Sequence, residues 1–243
     1  MILALETATA ACSVAVTRPD GTVLAETLTA AGPAHTRRLL ADIHHALAMA
    51  GAALGDVELI VVGLGPGTFT GLRIGVATAR ALAQARGVAL AGVPTLAALA
   101  LALSEGDATG DAVVYVPLID GKRREVFAAG YERSGDAAGG CLSQVRELTA
   151  LPADEIGAFM AAWPAAVVGG DGADLYADQL PSAVRVCRTV RWPTAGMIAR
   201  AWCAEVPGLV RSADEVLPIY GRAPDAVRWT EHRRAGAHQK ADR

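Results

Sequence analysis

The chain has 243 residues, of which 52% are hydrophobic, 5% aromatic and 19% charged, with a formal net charge of −3. That length holds one large domain or two small ones, and its core must be built from Ala, Val, Leu and Ile. The charge gives no global nucleic-acid footprint, and no uninterrupted apolar run reaches the length of a membrane span.

The opening MILALETATA places Glu6 inside the first apolar stretch and has no basic leader region. It reads as a strand that starts the fold, not as a signal peptide. Residues 2–6 and 12–17 read as strands joined by a short Thr/Ala turn. Asp20-Gly21 is a hairpin signal, and 22–29 returns as a third strand. A helix follows from about His35 to Ala50, because Leu39, Ile43, Ala46, Leu47 and Ala50 fall on one helical face. Strand 57–63, a glycine loop, a helix from about Phe69 to Arg86, a strand 88–93 and a helix opening at Pro94-Thr95 complete the first half.

The second half repeats this order. Residues 112–119 form an apolar strand, Asp120-Gly121 a turn, and 124–131 the returning strand. A Gly-rich stretch, 134–140, leads to 141–147. A helix from Pro152 to Ala162, strand 165–169, Gly169-Gly170 and a helix near 172–178 follow. The element order suggests duplication without a letter-for-letter repeat. Glu6 and Asp120 would then occupy matching places. Residues 194–205 form a last helix, and 223–243 reads as a charged, poorly ordered tail.

The segment GLGPGTFTGLRIGVATAR, 63–80, has glycine at 63, 65, 67, 71 and 75. A strand, a tight glycine loop and a helix N-terminus in that order form an anion-ready geometry. The spacing is neither GxxxxGK[ST] nor a clean GxGxxG. Two readings stand: a phosphate cradle, or glycines that let a loop turn and a helix pack closely. Glu6, Thr7 and Thr9 after the first strand offer a carboxylate and two hydroxyls to a phosphate, or simply satisfy their own turn. A weak phosphate or nucleotide cleft would draw on Glu6, Thr7, Thr9, Gly65, Gly67, Thr68 and Asp120.

Other chemistry is thinly represented. His35, His44 and His45 do not share a helical face, so no two-histidine metal site is expected, and no metal. Cys12, Cys141, Cys187 and Cys203 form no CxxC pair, consistent with a reduced cytoplasmic protein. Ser13 and Ser104 lack a nucleophile elbow. Asp171 and Asp174, at a helix start, suit N-capping. The helix after the glycine loop carries two apolar stripes, Leu72, Val76, Ala79, Ala83 and Ile74, Ala77, Ala81, Leu82, Ala85. One meets its own sheet, and the other needs a cover or is an interface. Gly71, Gly75, Ala79 and Ala83 also repeat every four residues and permit close approach of a second helix.

The glycine segment, together with ILALETATAACSVAV, AHTRRLL at 34–40, GVPTLAALA at 92–100, IDGKRREVFAAGY at 119–131 and PIYGR at 218–222, resembles the TsaB (YeaZ-like, glycoprotease-like) family. The resemblance implies an α/β, duplicated ribonuclease-H-like (actin-like ATPase) fold with two lobes. These would be residues 1–108, with 194–222 packing back near them, and 109–193. It implies a non-catalytic subunit in N6-threonylcarbamoyladenosine synthesis at position 37 of ANN-decoding tRNAs. Its partner is the catalytic paralogue TsaD and, through it, the ATPase TsaE. No cofactor is required, ATP or ADP binds at most weakly, and tRNA is met through the complex. The expected contacts, to TsaD or to a second copy in a homodimer, are Leu39, Ile43, Leu72, Val76, Ala79 and Ala83. Gly221 departs from the family, where Leu is usual. An independent actin-fold ATPase or small-molecule kinase is the alternative.

Overall fold

The structure is a computed structural model that describes residues 1–30, 35–107, 113–134 and 141–222. Its first sheet has the strand order β3-β2-β1-β4-β5, from β1 (Ile2–Glu6), β2 (Ala11–Thr17), β3 (Val23–Ala30), β4 (Leu59–Gly63) and β5 (Ala89–Val93). The β2 strand is antiparallel to both β1 and β3, while β4 and β5 run parallel to β1. Both β1 and β2 are buried along their whole length, as strands covered on two faces must be.

One face is covered by α1 (His35–Met49) and α2 (Phe69–Arg86), which also touch each other. The α2 helix has the bounds that its periodicity predicts. It stops at Gly87, whose φ of 64° is the left-handed conformation that closes a helix. The opposite face is covered by α6 (Ala195–Cys203), where Ala195 and Ala199 sit on Ala4 and Ala15. Alanine on both sides brings helix and sheet close. Ser13 Oγ accepts from Ala195 N at 2.9 Å and Glu26 Oε1 from Gly196 N at 2.6 Å. Ser13 and a carboxylate thus satisfy the exposed N–H groups of that helix end.

The second sheet repeats the topology. Its order is β8-β7-β6-β9-β10, from β6 (Val114–Lys122), β7 (Glu125–Ser134), β8 (Cys141–Pro152), β9 (Val167–Gly169) and β10 (Arg185–Val186). Again the first three strands are antiparallel and the last two parallel. The α4 (Ile156–Met160) and α5 (Asp171–Leu175) helices flank it. Between the sheets lies α3 (Thr95–Glu105), nearly all buried, in a core joining Val61 and Val93 of the first sheet to Tyr115, Ile119 and Phe127 of the second. The two sheets therefore share a core.

Two expectations are corrected. The turn after β6 is Arg123-Arg124, not Asp120-Gly121, because β6 continues to Lys122, which pairs with Glu125. The helix expected from Pro152 to Ala162 is shortened to α4 by β8, which runs on to Pro152. The proposed lobe boundary at 108/109, the Gly-rich stretch after Ser134 and the tail 223–243 lie outside the described residues.

Candidate functional site

Glycine spacing in the β4–α2 loop follows from the turn beneath it. Ala8 carbonyl oxygen accepts from Thr68 N at 2.7 Å and lies where a side chain on Gly67 would be. The Thr7 carbonyl blocks Gly71, and its hydroxyl, which donates to Gly71 O at 2.8 Å, blocks Gly75. The Glu6 carboxyl fills the corresponding space at Gly63. Glycine is needed at these positions for close approach, so the second reading of the glycine segment is the one these contacts favour.

Glu6, Thr7 and Thr9 are consequently sealed. Glu6 accepts from Ala8 N at 2.6 Å and from Thr95 Oγ1 at 2.9 Å, while Thr95 Oγ1 in turn accepts from Gly65 N at 3.1 Å. Burial pushes the Glu6 carboxyl up to about 7, against the opposing pull of its hydrogen bonds. These three residues and Gly65 do not reach open space. Of the seven positions expected in a cleft, Gly67, Thr68 and Asp120 line one.

That cleft has a volume of about 460 Å³ and lies between the sheets. The start of α2 supplies one wall with Phe69 and Arg73, and the end of β6 supplies Gly121 and Lys122. Asp120 is held by Lys122 Nζ at 2.6 Å and accepts from Lys122 N at 2.8 Å. Its own N–H donates to Asp171 Oδ1 at 3.0 Å. Burial pushes the Asp171 carboxyl up to about 6. Gly170, not Asp171 or Asp174, is the cap of α5. Asp171 instead ties α5 to β6, and Asp174 pairs with Arg191 at 3.3 Å. Gly170 is pressed against the Leu118 carbonyl, as Gly67 is against the Ala8 carbonyl.

The resemblance set 194–222 near the first half but did not show its end as the third wall of the cleft. Residues 213–222 run in reverse along α2. Arg80 holds the carbonyls of Val216 and Asp214, each at 3.1 Å, and Ile219 N donates to Leu64 O at 2.7 Å. Tyr220 stacks on Phe69 with centroids 5.2 Å apart, and Arg73 Nε donates to its hydroxyl at 3.0 Å. The segment then crosses to the second sheet, where Gly221 meets Phe127 and Arg222 pairs with Glu125 at 2.8 Å. The only signal for it was the PIYGR string.

The six side chains expected at a partner interface, Leu39, Ile43, Leu72, Val76, Ala79 and Ala83, are all buried in the chain's own core. Periodicity shows two stripes on α2 but not which one faces the sheet. Thr7 decides it, because it requires Gly71 and Gly75 on the inner side. The outward side carries Thr70, Ala77, Ala81 and Ala85, with Ile74 half-buried, and the outward side of α1 carries Leu40, Ala41, His44, His45, Ala48 and Met49. Among the described residues no three His, Cys, Asp or Glu side chains converge to hold a metal ion. No helix among them is long and apolar enough to cross a membrane.

The family model of TsaD, tRNA N6-adenosine threonylcarbamoyltransferase, matches residues 26–167, more than half of the chain. The tRNA threonylcarbamoyladenosine biosynthesis protein TsaB of Escherichia coli is 39% identical over 133 residues, 54% of this chain and 55% of that one. The solved structure of YeaZ from Pseudomonas aeruginosa superposes with a TM-score of 0.72 at 28% identity, covering 90% of this chain and 98% of that one. The chain belongs to this threonylcarbamoyltransferase family, on its TsaB/YeaZ-like side. An uncharacterized protein of Mycobacterium tuberculosis is similar along nearly the whole length, at 35% identity over 229 residues and 93% of each chain. The TsaB/YeaZ-like assignment and the duplicated α/β fold both match the sequence expectation.

Proposed function

We propose that this chain is a non-catalytic activating subunit of the complex that installs N6-threonylcarbamoyladenosine at position 37 of ANN-decoding tRNAs. It binds the catalytic paralogue TsaD through the outward faces of α1 and α2. One observation carries this reading. Between Arg73 and Gln84 the solvent side of α2 presents Ile74, Ala77, Thr78 and Ala81, and the one charged residue in that stretch, Arg80, is turned aside onto the 214–216 carbonyls. A helix meant for solvent carries charge there, and small apolar side chains suit close packing of another helix.

In this account TsaE joins through TsaD, the same face pairs two copies when TsaD is absent, and the protein works in the cytoplasm. No cofactor is required, and ATP or ADP binds the cleft weakly at most. The relatives named for threonylcarbamoyladenosine biosynthesis support the pathway. The filled Glu6–Thr9 turn supports the non-catalytic role, since the carboxylate and hydroxyls that would meet a phosphate are taken up internally.

The alternative, an independent actin-fold ATPase or small-molecule kinase, draws on the cleft that Asp120 lines between the sheets. Calorimetric titration of the purified chain with TsaD and, separately, with Mg-ATP distinguishes them. The proposal expects tight TsaD binding and weak ATP binding. Tight ATP binding with hydrolysis and no TsaD binding would replace it with the alternative.

A further inference from the structure

The β6–β7 turn presents charge at a cost in backbone conformation. Lys122, Arg123 and Arg124 have φ of 64°, 55° and 60°, three successive non-glycine residues in the left-handed region. Lys122 pairs with Glu125, so Arg123-Arg124 is a two-residue hairpin loop with positive φ at both central positions. Asn-Gly and Asp-Gly are the sequences that such a loop favours, and Arg-Arg is disfavoured on sterics alone. Backbone held in a sparsely populated region beside a cleft points to use of the side chains it carries.

All three side chains are exposed. Lys122, paired with Asp120, lines the cleft, with Arg73 and the Glu125-paired Arg222 on its other walls, while Arg123 and Arg124 extend the charge at the turn. Beside Arg73 lie two partly exposed aromatic residues stacked on each other, Phe69 at 51% and Tyr220 at 38%. The Arg73 guanidinium is 3.9 Å from the Phe69 ring centroid. Cations that meet phosphates, next to aromatic faces and an arginine plane on which bases stack, are the means by which proteins hold unpaired RNA. An acidic protein surface would use the cations and leave the rings idle.

We propose that the Lys122–Arg124 turn and the Phe69–Tyr220 pair form an RNA-binding edge, with the turn on the phosphate backbone and the rings on an unpaired base. The proposal rests on the reading above, that the chain works in tRNA modification, and gives it direct contact with the tRNA.

The test uses the full chain, alone and with TsaD, and an in vitro transcribed ANN-decoding tRNA. In Arg123→Asn/Arg124→Gly the turn receives the residues it prefers. The melting temperature rises and TsaD affinity is unchanged, while tRNA affinity falls about tenfold. The slope of log K against log salt becomes shallower by about one for each phosphate that the turn no longer neutralises. Arg123→Lys/Arg124→Lys retains the salt slope, and Tyr220→Ala lowers affinity without changing it. Unchanged tRNA affinity in the Asn-Gly variant overturns the proposal, as does loss of TsaD affinity in its place, which would make the turn a protein-binding element. Failure of the wild-type chain to bind TsaD would overturn the functional reading instead, and the chain's own tRNA titration would still decide this one.

Discussion

The Thr7 hydroxyl occupies the space that a side chain on Gly75 would fill, and it donates to Gly71 O one turn earlier on the same helix. A single residue after the first strand thus sets which face of α2 turns inward. Gly75→Ala should cost about 1–3 kcal/mol, since Thr7 can rotate away at the loss of its hydrogen bond. Gly71→Ala and Gly67→Ala meet backbone carbonyls that cannot yield, and should each cost about 3 kcal/mol or more. Gly87→Ala, at φ 64° with open space around it, should cost only about 1 kcal/mol. Urea unfolding of the four variants checks this order.

Glu6 makes stability depend on pH. Its carboxyl loses its proton near 4.5 when unfolded and near 7 when folded. Between those values the folded state binds more protons, so stability falls as pH rises, by about 3 kcal/mol across the window. Its contribution is whole below pH 4.5 and gone above about 7. Asp171, raised from 3.8 to about 6, acts with the same sign in a lower window. Glu6→Gln should abolish the decline between about pH 6 and 7, make it shallower between about pH 4.5 and 6, and leave the Asp171 part, as measured by urea midpoints from pH 4 to 8.

Gly221 and Phe127 are coupled. A Cβ on Gly221 would meet the Phe127 ring at 2.5 Å, so a large ring on β7 faces a position without a side chain on the 213–222 segment. Gly221→Leu alone should destabilise by about 1–3 kcal/mol, through displacement of Phe127 and strain on the Arg222–Glu125 pair. Phe127→Ala alone leaves a cavity in the core between the sheets. The double variant should be more stable than the sum of the two losses by about 1 kcal/mol or more. Simple additivity in a double-mutant cycle would show that the two sites are independent.

The sequence made the elements legible where the physics is local. The α2 bounds were readable because apolar spacing begins at Phe69 and Gly87 offers a left-handed stop. The repeat of strand order was readable because each half opens with three apolar runs separated by turn signals. The Arg123-Arg124 turn was not, because Asp-Gly at 120–121 is the stronger local signal and the pairing of Lys122 with Glu125 overrides it. Which α2 stripe faces inward was also hidden. It depends on Thr7, more than sixty residues from Gly71 and Gly75. The cleft was half legible. Gly67, Thr68 and Asp120 were found from motif residues, whereas Phe127, Tyr220 and Arg222 come together only because an extended segment without periodicity crosses between the sheets.

The outward face of α2 is the surface proposed to bind TsaD. Ala81 is exposed on that face, and Ala79 is fully buried beneath it. Ala79→Glu should therefore damage the fold itself. Ala81→Glu, a surface change, should alter stability by no more than about 0.5 kcal/mol. Calorimetric titration of the Ala81→Glu chain with TsaD is the most direct measurement. The variant should keep a native circular dichroism spectrum and unfolding midpoint, with TsaD affinity reduced about a hundredfold by a charge buried at the centre of the interface. Wild-type affinity in that variant would contradict the proposed interface.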